Sequence, residues 1–361
     1  STLFPYTTLF RSRIEDYHSH SVDCKHTVCS TTAVLFLLRH TPTPDISQVV
    51  GYATPFPFAL FATIIFLIVW PFVRWKLTAI PLLTLILTAN DVRAFFPINF
   101  TGEVPPHTLR LMSFNVGNNK REINQEFIAY LLQCEADIIC IQEYNYWSQA
   151  INDSSLNKAY PYIYYVKNEN HTALLSKYPI LSSTHIKYET FGNSSHAHEI
   201  LYGKDTLLIV NNHFQSYSFG VSDFDKYDEL KKKSTSMTDR EKDTKNLLSK
   251  LIQGNKARGP QVETVADYVN NHHRKYTIVC GDFNEPVTGY AHYVMTNKLD
   301  IPLHNAFTLS GNGSAYTYSN HGISYRIDHI LVSDSIIPHK AGIDESCTFS
   351  DHFPIYFASW S

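Results

Sequence analysis

The chain has 361 residues, a formal charge of −3 and a sequence pI near 6.6, which excludes a general electrostatic pull toward nucleic acid, since such binding draws mainly on Lys and Arg at phosphates. Charged residues make up only 17%, below the ~25% usual for soluble proteins, and the apolar excess lies before residue 100. The remainder, roughly 260 residues, is enough for one large domain or two small ones.

Residues 1–32 are set apart from the fold. Thr2 to Ser12 resembles one reading frame of a common sequencing-library adapter, and Arg13 to Thr32 is polar and without periodicity, so the segment reads as a scar followed by a disordered leader. Residues 33–98 are the apolar region. No charge occurs between Ile46 and Val73, and Phe56 to Val73 approaches the ~20 residues of helix that cross a bilayer. Leu77 to Ala89 is a second, shorter apolar run, and together they predict a transmembrane hairpin. Arg74 and Lys76 in the connector, with Trp70 and Trp75 beside them, place the connector in the cytoplasm and the rest of the chain outside it. A buried helical hairpin of a globular domain is the alternative. Residues 99–108, with Gly102, Pro105 and Pro106, read as a linker.

From Leu109 to the C-terminus, strand-length apolar runs alternate with helical patterns. Strands are expected at Leu109 to Val116, Asp137 to Gln142, Tyr162 to Val166, Thr172 to Ser176, Leu207 to Asn211, Thr277 to Cys280, Ser324 to Val332 and Pro354 to Phe357. Helices are expected over Glu122 to Gln133 and over Tyr227 to Asn271, the latter with a looser stretch near Gly254 and Gly259. The Lys231-Lys232-Lys233 run reads as a solvated face. The six cysteines, Cys24, Cys29, Cys134, Cys140, Cys280 and Cys347, have no metal-ligand spacing. Cys140 and Cys280 sit inside apolar runs as small hydrophobes.

Polar residues recur where these runs end. Asn115 closes the first, Gln142-Glu143 the second and Asn211-Asn212-His213 a third. Gly281-Asp282-Phe283-Asn284 ends a fourth, and alternation puts Asp282 and Asn284 on one side with Phe283 on the other. Asp328 lies within an apolar strand pattern, where a carboxylate is costly unless paired, and Asp351-His352 near the C-terminus offers a partner. A carboxylate that orients an imidazole favours proton transfer, and oxygen ligands such as Glu143 suit a hard cation.

In this order the clusters Asn115, Gln142-Glu143, Asn211-x-His213, Gly281-Asp282-x-Asn284, Ile327-Asp328-His329 and Ser350-Asp351-His352 resemble the endonuclease/exonuclease/phosphatase superfamily of metal-dependent phosphoesterases, over about Leu109 to Phe357. The hairpin resembles that of bacterial membrane-anchored members. The resemblance implies an α/β fold, a four-layer sandwich of two mixed β-sheets flanked by helices. It implies Mg2+, or Mn2+ in its place, held by Glu143 with Asn115 and supported by Asp351. Asp282 would orient or deprotonate the attacking water, Asn284 would help hold the scissile phosphate, and His213 would stabilise charge on it. His352, oriented by Asp328, would act as acid or base. Asn212 and His329 are expected to be structural. The substrate is a phosphoester, with nucleic acid and phospholipid or phosphoinositide both open, and a catalytically silent binding protein of the same fold is the competing class. No protein partner is implied. His171 departs from the resemblance in the substrate-facing loop, where relatives tend to carry glycine.

Overall fold

The computed structural model describes residues 56–100, 104–105, 108–117, 125–144, 153–166, 172–190, 192–217, 237–320 and 323–360. The expected scar and leader, the start of the apolar region at residues 33–55, the Lys231 to Lys233 run and the loop residue His171 lie outside them. By contact the chain divides into two compact units, with the boundary among the described residues between Asn90 and Asp91.

The first unit carries two helices, α1 (Phe56–Arg74) and α2 (Ala79–Leu87), joined by a 3-10 turn at Trp75–Thr78. The expected hairpin is therefore helical. However, no helix among the described residues is long and apolar enough to cross a membrane, which corrects the transmembrane expectation. At 1.5 Å per residue α2 spans only about 13 Å, and Pro71 removes a backbone donor near the end of α1. A third helix, α3 (Ala89–Phe95), follows.

The second unit is built on two six-stranded mixed sheets. Its elements in chain order are β1 (Leu109–Asn115), α4 (Gln125–Gln133), β2 (Ile138–Gln142), α5 (Ser154–Ala159), β3 (Tyr162–Tyr164), β4 (Ala173–Ser176), β5 (Ile180–Ile186), β6 (Ser194–Tyr202), β7 (Asp205–His213), α6 (Met237–His272), β8 (Tyr276–Asp282), α7 (Tyr290–Asn297), β9 (Leu303–Asn305), α8 (Ala306–Ser310), β10 (Tyr318–Asn320), β11 (Ile323–Tyr325), β12 (Asp328–Ser333), β13 (Ile337–Ile343) and β14 (Ile355–Trp360). One sheet runs β13-β14-β1-β2-β4-β3 and the other β5-β6-β7-β8-β12-β9, with β10 and β11 as a separate ribbon. The pairs β1/β2 and β7/β8 are parallel and the remaining pairings antiparallel.

Strand alternation produces the layering. Leu111 of β1, Ile138 and Cys140 of β2, Ile209 of β7, Ile278 and Cys280 of β8 and Ile330 of β12 share the core between the sheets. Their neighbours turn the other way. Met112, Phe114, Ile139 and Ile141 meet Phe127, Ile128 and Leu131 of α4, while Leu208, Val210, Val279 and Leu331 meet Val262, Val265 and Val269 of α6 and Val294 of α7. Central strands buried on both faces read as unbroken apolar runs, and each fully buried Leu or Ile contributes about 1.5 to 3 kcal/mol.

α6 is continuous through Gly254, Gly259 and Pro260, in place of the looser stretch expected. A Cβ on Gly254 would fall 2.7 Å from the Tyr217 ring, so the glycine makes room for packing rather than for a bend. The single strand expected over Ser324 to Val332 is two, β11 and β12, separated at Arg326 and Ile327. The strands β5, β6, β9, β10 and β13 have no counterpart among the expected strands. β6 carries the buried polar residues Ser194, Ser195, His196 and His198, which hide its apolar signal.

Candidate active site

Sheet register brings the polar strand ends to one rim. Asn115 ends β1 opposite Gln142 of β2, which puts Glu143 just beyond. His213 ends β7 opposite Asp282, the last residue of β8, and Asp282 stands opposite Asp328, the first residue of β12. The approach of β7 to β8 demands Gly281, whose φ is +124° and where a Cβ would fall 2.0 Å from the carbonyl oxygen of Asn212. Glu143 and Asn284 also have positive φ, 59° and 51°, a region that non-glycine residues seldom occupy outside functional or strained sites.

Asp282 is the hub. Its carboxylate accepts hydrogen bonds from Nδ2 of Asn115 at 2.9 Å, the backbone N–H of Asn284 at 2.7 Å and Nδ2 of Asn284 at 3.1 Å. His213 Nε2 lies 4.0 Å from it and His352 Nε2 3.8 Å. Glu143 Oε1 is 3.2 Å from Asn115 Nδ2 and 3.3 Å from His213 Nε2. Nδ1 of His352 is 2.9 Å from Asp328 Oδ2. Seven of the eight residues singled out from the sequence are thus linked by direct approaches. Asp351 joins them by charge, through its effect on His352, and its carboxylate accepts from the Ser350 hydroxyl at 3.3 Å.

The electrostatics separate the two proton-handling groups. Burial and the neighbouring Asp328 push the Asp282 carboxyl up to about 6, against His352, His213 and Asn115, which pull it down. Burial disfavours charge on His352, yet Asp328, Asp282 and Asp351 outweigh it and raise the imidazole to about 10. The carboxylates around His352 thus favour its protonated form, while burial and Asp328 work against charge on Asp282.

Asn284 Nδ2 also donates to Phe214 O at 2.9 Å, so its amide protons point at Asp282 and the backbone. Asn212 and His329 are structural: Asn212 Nδ2 donates to Cys280 O at 3.0 Å, and the buried His329 ring bonds Glu285 O at 2.8 Å.

Two residues around the site had no sequence signal, because their contacts are long-range. The buried Thr317 hydroxyl accepts from the N–H groups of Ile327 and Asp328 at 3.0 and 2.9 Å, fixing the start of β12. The Tyr318 ring packs edge-on to His352, with centroids 5.0 Å apart.

Asp282, Asp328 and His352 offer ligand atoms within 4.8 Å of one another. Asp328 Oδ1 is buried without a hydrogen-bond partner. With Glu143 alongside, the donors are mainly hard carboxylate oxygens, which fits a divalent cation of the Mg2+ type.

The model of the endonuclease/exonuclease/phosphatase family matches residues 112–352, more than half of the chain. The chain belongs to that family, whose members are typically divalent-metal-dependent hydrolases of phosphoester bonds. Among solved structures it is similar to a humanized D. rerio TDP2 at 13% identity, covering 70% of this chain and 99% of that one with a TM-score of 0.49. It is similar also to the human Nocturnin catalytic domain, at 13% identity, 72% and 96% coverage and a TM-score of 0.48. A family protein from Bacteroides thetaiotaomicron aligns at 18% identity, 71% and 98% coverage and a TM-score of 0.46. No curated protein sequence matches the chain.

Proposed function

We propose that the chain is a Mg2+-dependent phosphoester hydrolase, with Mn2+ able to serve in place of Mg2+. The observation that carries this reading is the convergence of Asn115, Asn284, His213 and His352 on one buried carboxylate, Asp282. Glu143, Asn115 and Asp351 would hold the metal. A bound divalent cation supplies charge neutralisation on the phosphoryl oxygens.

The chain's own residues divide the proton work. Asp282, ionised at neutral pH, accepts a proton from the attacking water. His352, held protonated by Asp328, donates to the leaving oxygen as its bond to phosphorus breaks. The Asp328 contact to His352 supports Asp282 as the base, because an imidazole that already carries its proton cannot accept another. His213, reaching Glu143 and Asp282, faces the developing negative charge. Asn284 orients Asp282 rather than gripping phosphate, since its amide protons are spent on Asp282 and Phe214.

A phospholipid or phosphoinositide substrate is favoured over nucleic acid by one feature. Phe61, Ile68, Phe72, Leu83 and Ile86 of α1 and α2 are all more than half exposed, an apolar surface suited to a bilayer. A panel of plasmid DNA, sphingomyelin, phosphoinositides and bis(p-nitrophenyl) phosphate, with and without Mg2+, tests both parts of the reading. Turnover of the lipids above DNA supports it, and turnover of DNA alone transfers the substrate to nucleic acid.

A further inference from the structure

Two loops carry the site, one following β7 after His213 and one following β8 after Asp282. One side chain touches both. Arg258 of α6 is fully buried, and its Nε donates to Gln215 O at 2.8 Å. Its Nη1 pairs with Glu285 Oε1 at 2.5 Å, with neither side chain exposed. One helical turn further on, Gln261 Oε1 accepts from Gln215 N at 2.9 Å, so α6 holds both backbone groups of Gln215. Glu285 is fixed in turn, its second oxygen accepting from Ala291 N at 2.7 Å. The Tyr217 hydroxyl lies 3.0 Å from the guanidinium, and its ring packs against it at 4.6 Å.

Gln215 is two residues from His213, and Glu285 follows Asn284 directly. The loops are also stitched to each other, through Phe214 O to Asn284 and through Phe214 N to Asp282 O at 3.0 Å. A buried ion pair contributes little net stability, because well-packed apolar residues of similar volume commonly do as well or better. Its directional bonds fix distance and angle, which apolar packing does not.

We propose that Arg258 and Glu285 are positioning residues that set the spacing between His213 and the Asp282-Asn284 turn for catalysis. The inference deepens the phosphoesterase reading and rests on it. A purely structural pair can be exchanged for apolar residues without consequence at the rim. A positioning pair cannot.

The test uses the full chain carrying Arg258→Met with Glu285→Leu, and separately Arg258→Lys, which keeps the charge opposite Glu285 and loses the fork to Gln215. Melting temperature, kcat and KM on bis(p-nitrophenyl) phosphate with Mg2+, and the nitrogen resonances of the Asn284 amide and His213 ring are measured. The paired variant is expected to melt close to wild type. Its kcat should fall at least about tenfold with KM changed less than about twofold, as for a small misplacement of reacting groups, and both resonances should move. Arg258→Lys should lie between. Wild-type melting with kcat within about threefold and unmoved resonances would overturn the proposal. If the paired variant does not fold, Arg258→Lys decides by the same readouts. A wild-type protein inactive on every phosphoester sinks the phosphoesterase reading, while the two resonances still judge the clamp.

Discussion

Asp282 and Asp328 stand opposite each other on adjacent antiparallel strands, and His352 spans them, with Nδ1 2.9 Å from Asp328 and Nε2 3.8 Å from Asp282. Burial and the neighbouring Asp328 raise the cost of ionising Asp282, and the His352 imidazole between them lowers it. This arrangement supports the proposed roles of His352 as acid and Asp282 as base.

Replacing Asp328 by Asn removes the group that orients His352 and favours its charge. The His352 imidazole should then titrate well below about 10, seen by NMR of the ring, and kcat should fall by about 10² to 10⁴. The folded state raises the pKa of this histidine, so its stabilisation is complete below the ordinary value near 6.5 and is lost as pH rises through about 10. Wild type should therefore lose melting temperature between pH 7 and pH 10 more steeply than Asp328→Asn.

Asp282 has the same sign in a lower pH window. Its folded pKa, near 6, exceeds the ordinary carboxylate value, so the folded state favours the proton and stability declines as pH rises from about 4 to about 6. Without metal at pH 8, Asp282→Asn should melt no lower than wild type while losing at least about a thousandfold in kcat. In wild type the acid limb of kcat/KM should lie near or below pH 6 and move lower as Mg2+ is raised, because a nearby cation favours the ionised carboxylate.

A cation bound only by the folded chain stabilises it by about 2.7 kcal/mol at a hundredfold excess over Kd. Adding Mg2+ should raise the melting temperature of wild type and leave that of Glu143→Gln nearly unchanged. An equal shift in both would remove Glu143 from the metal-binding set.

The strand ends were legible because period-two alternation marks where an apolar run stops, and Asn115, Glu143, His213 and Asp282 all sit at such stops. Asp328 was legible for another reason, a carboxylate in an apolar strand pattern needing a partner, which His352 supplies. What stayed hidden was set by contacts between distant segments. Thr317 matters only because the backbone of Ile327 and Asp328 reaches its hydroxyl, and Arg258 only because two loops meet over it. Gly254 and Gly259 suggested a break in α6 because the Tyr217 ring that needs the space at Gly254 is 37 positions away in sequence. The apolar hairpin was legible with its connector, since Arg74 and Lys76 interrupt the apolar run where the 3-10 turn Trp75–Thr78 lies.

The exposed apolar faces of α1 and α2 make a prediction of their own. The full chain should float with phosphatidylcholine vesicles, and a chain lacking residues 56–88 should remain in the aqueous fraction with its phosphodiesterase activity retained. Flotation of both would place the membrane-binding surface on the catalytic unit instead.

Turnover of bis(p-nitrophenyl) phosphate by wild type and Asp282→Asn, with Mg2+ and with EDTA, tests most directly whether Asp282 is the base of a metal-dependent phosphoester hydrolysis. The prediction is turnover by wild type that EDTA abolishes and added Mg2+ restores, at least about a thousandfold above the variant. Turnover by Asp282→Asn at the wild-type rate, or wild-type turnover indifferent to EDTA, would contradict it.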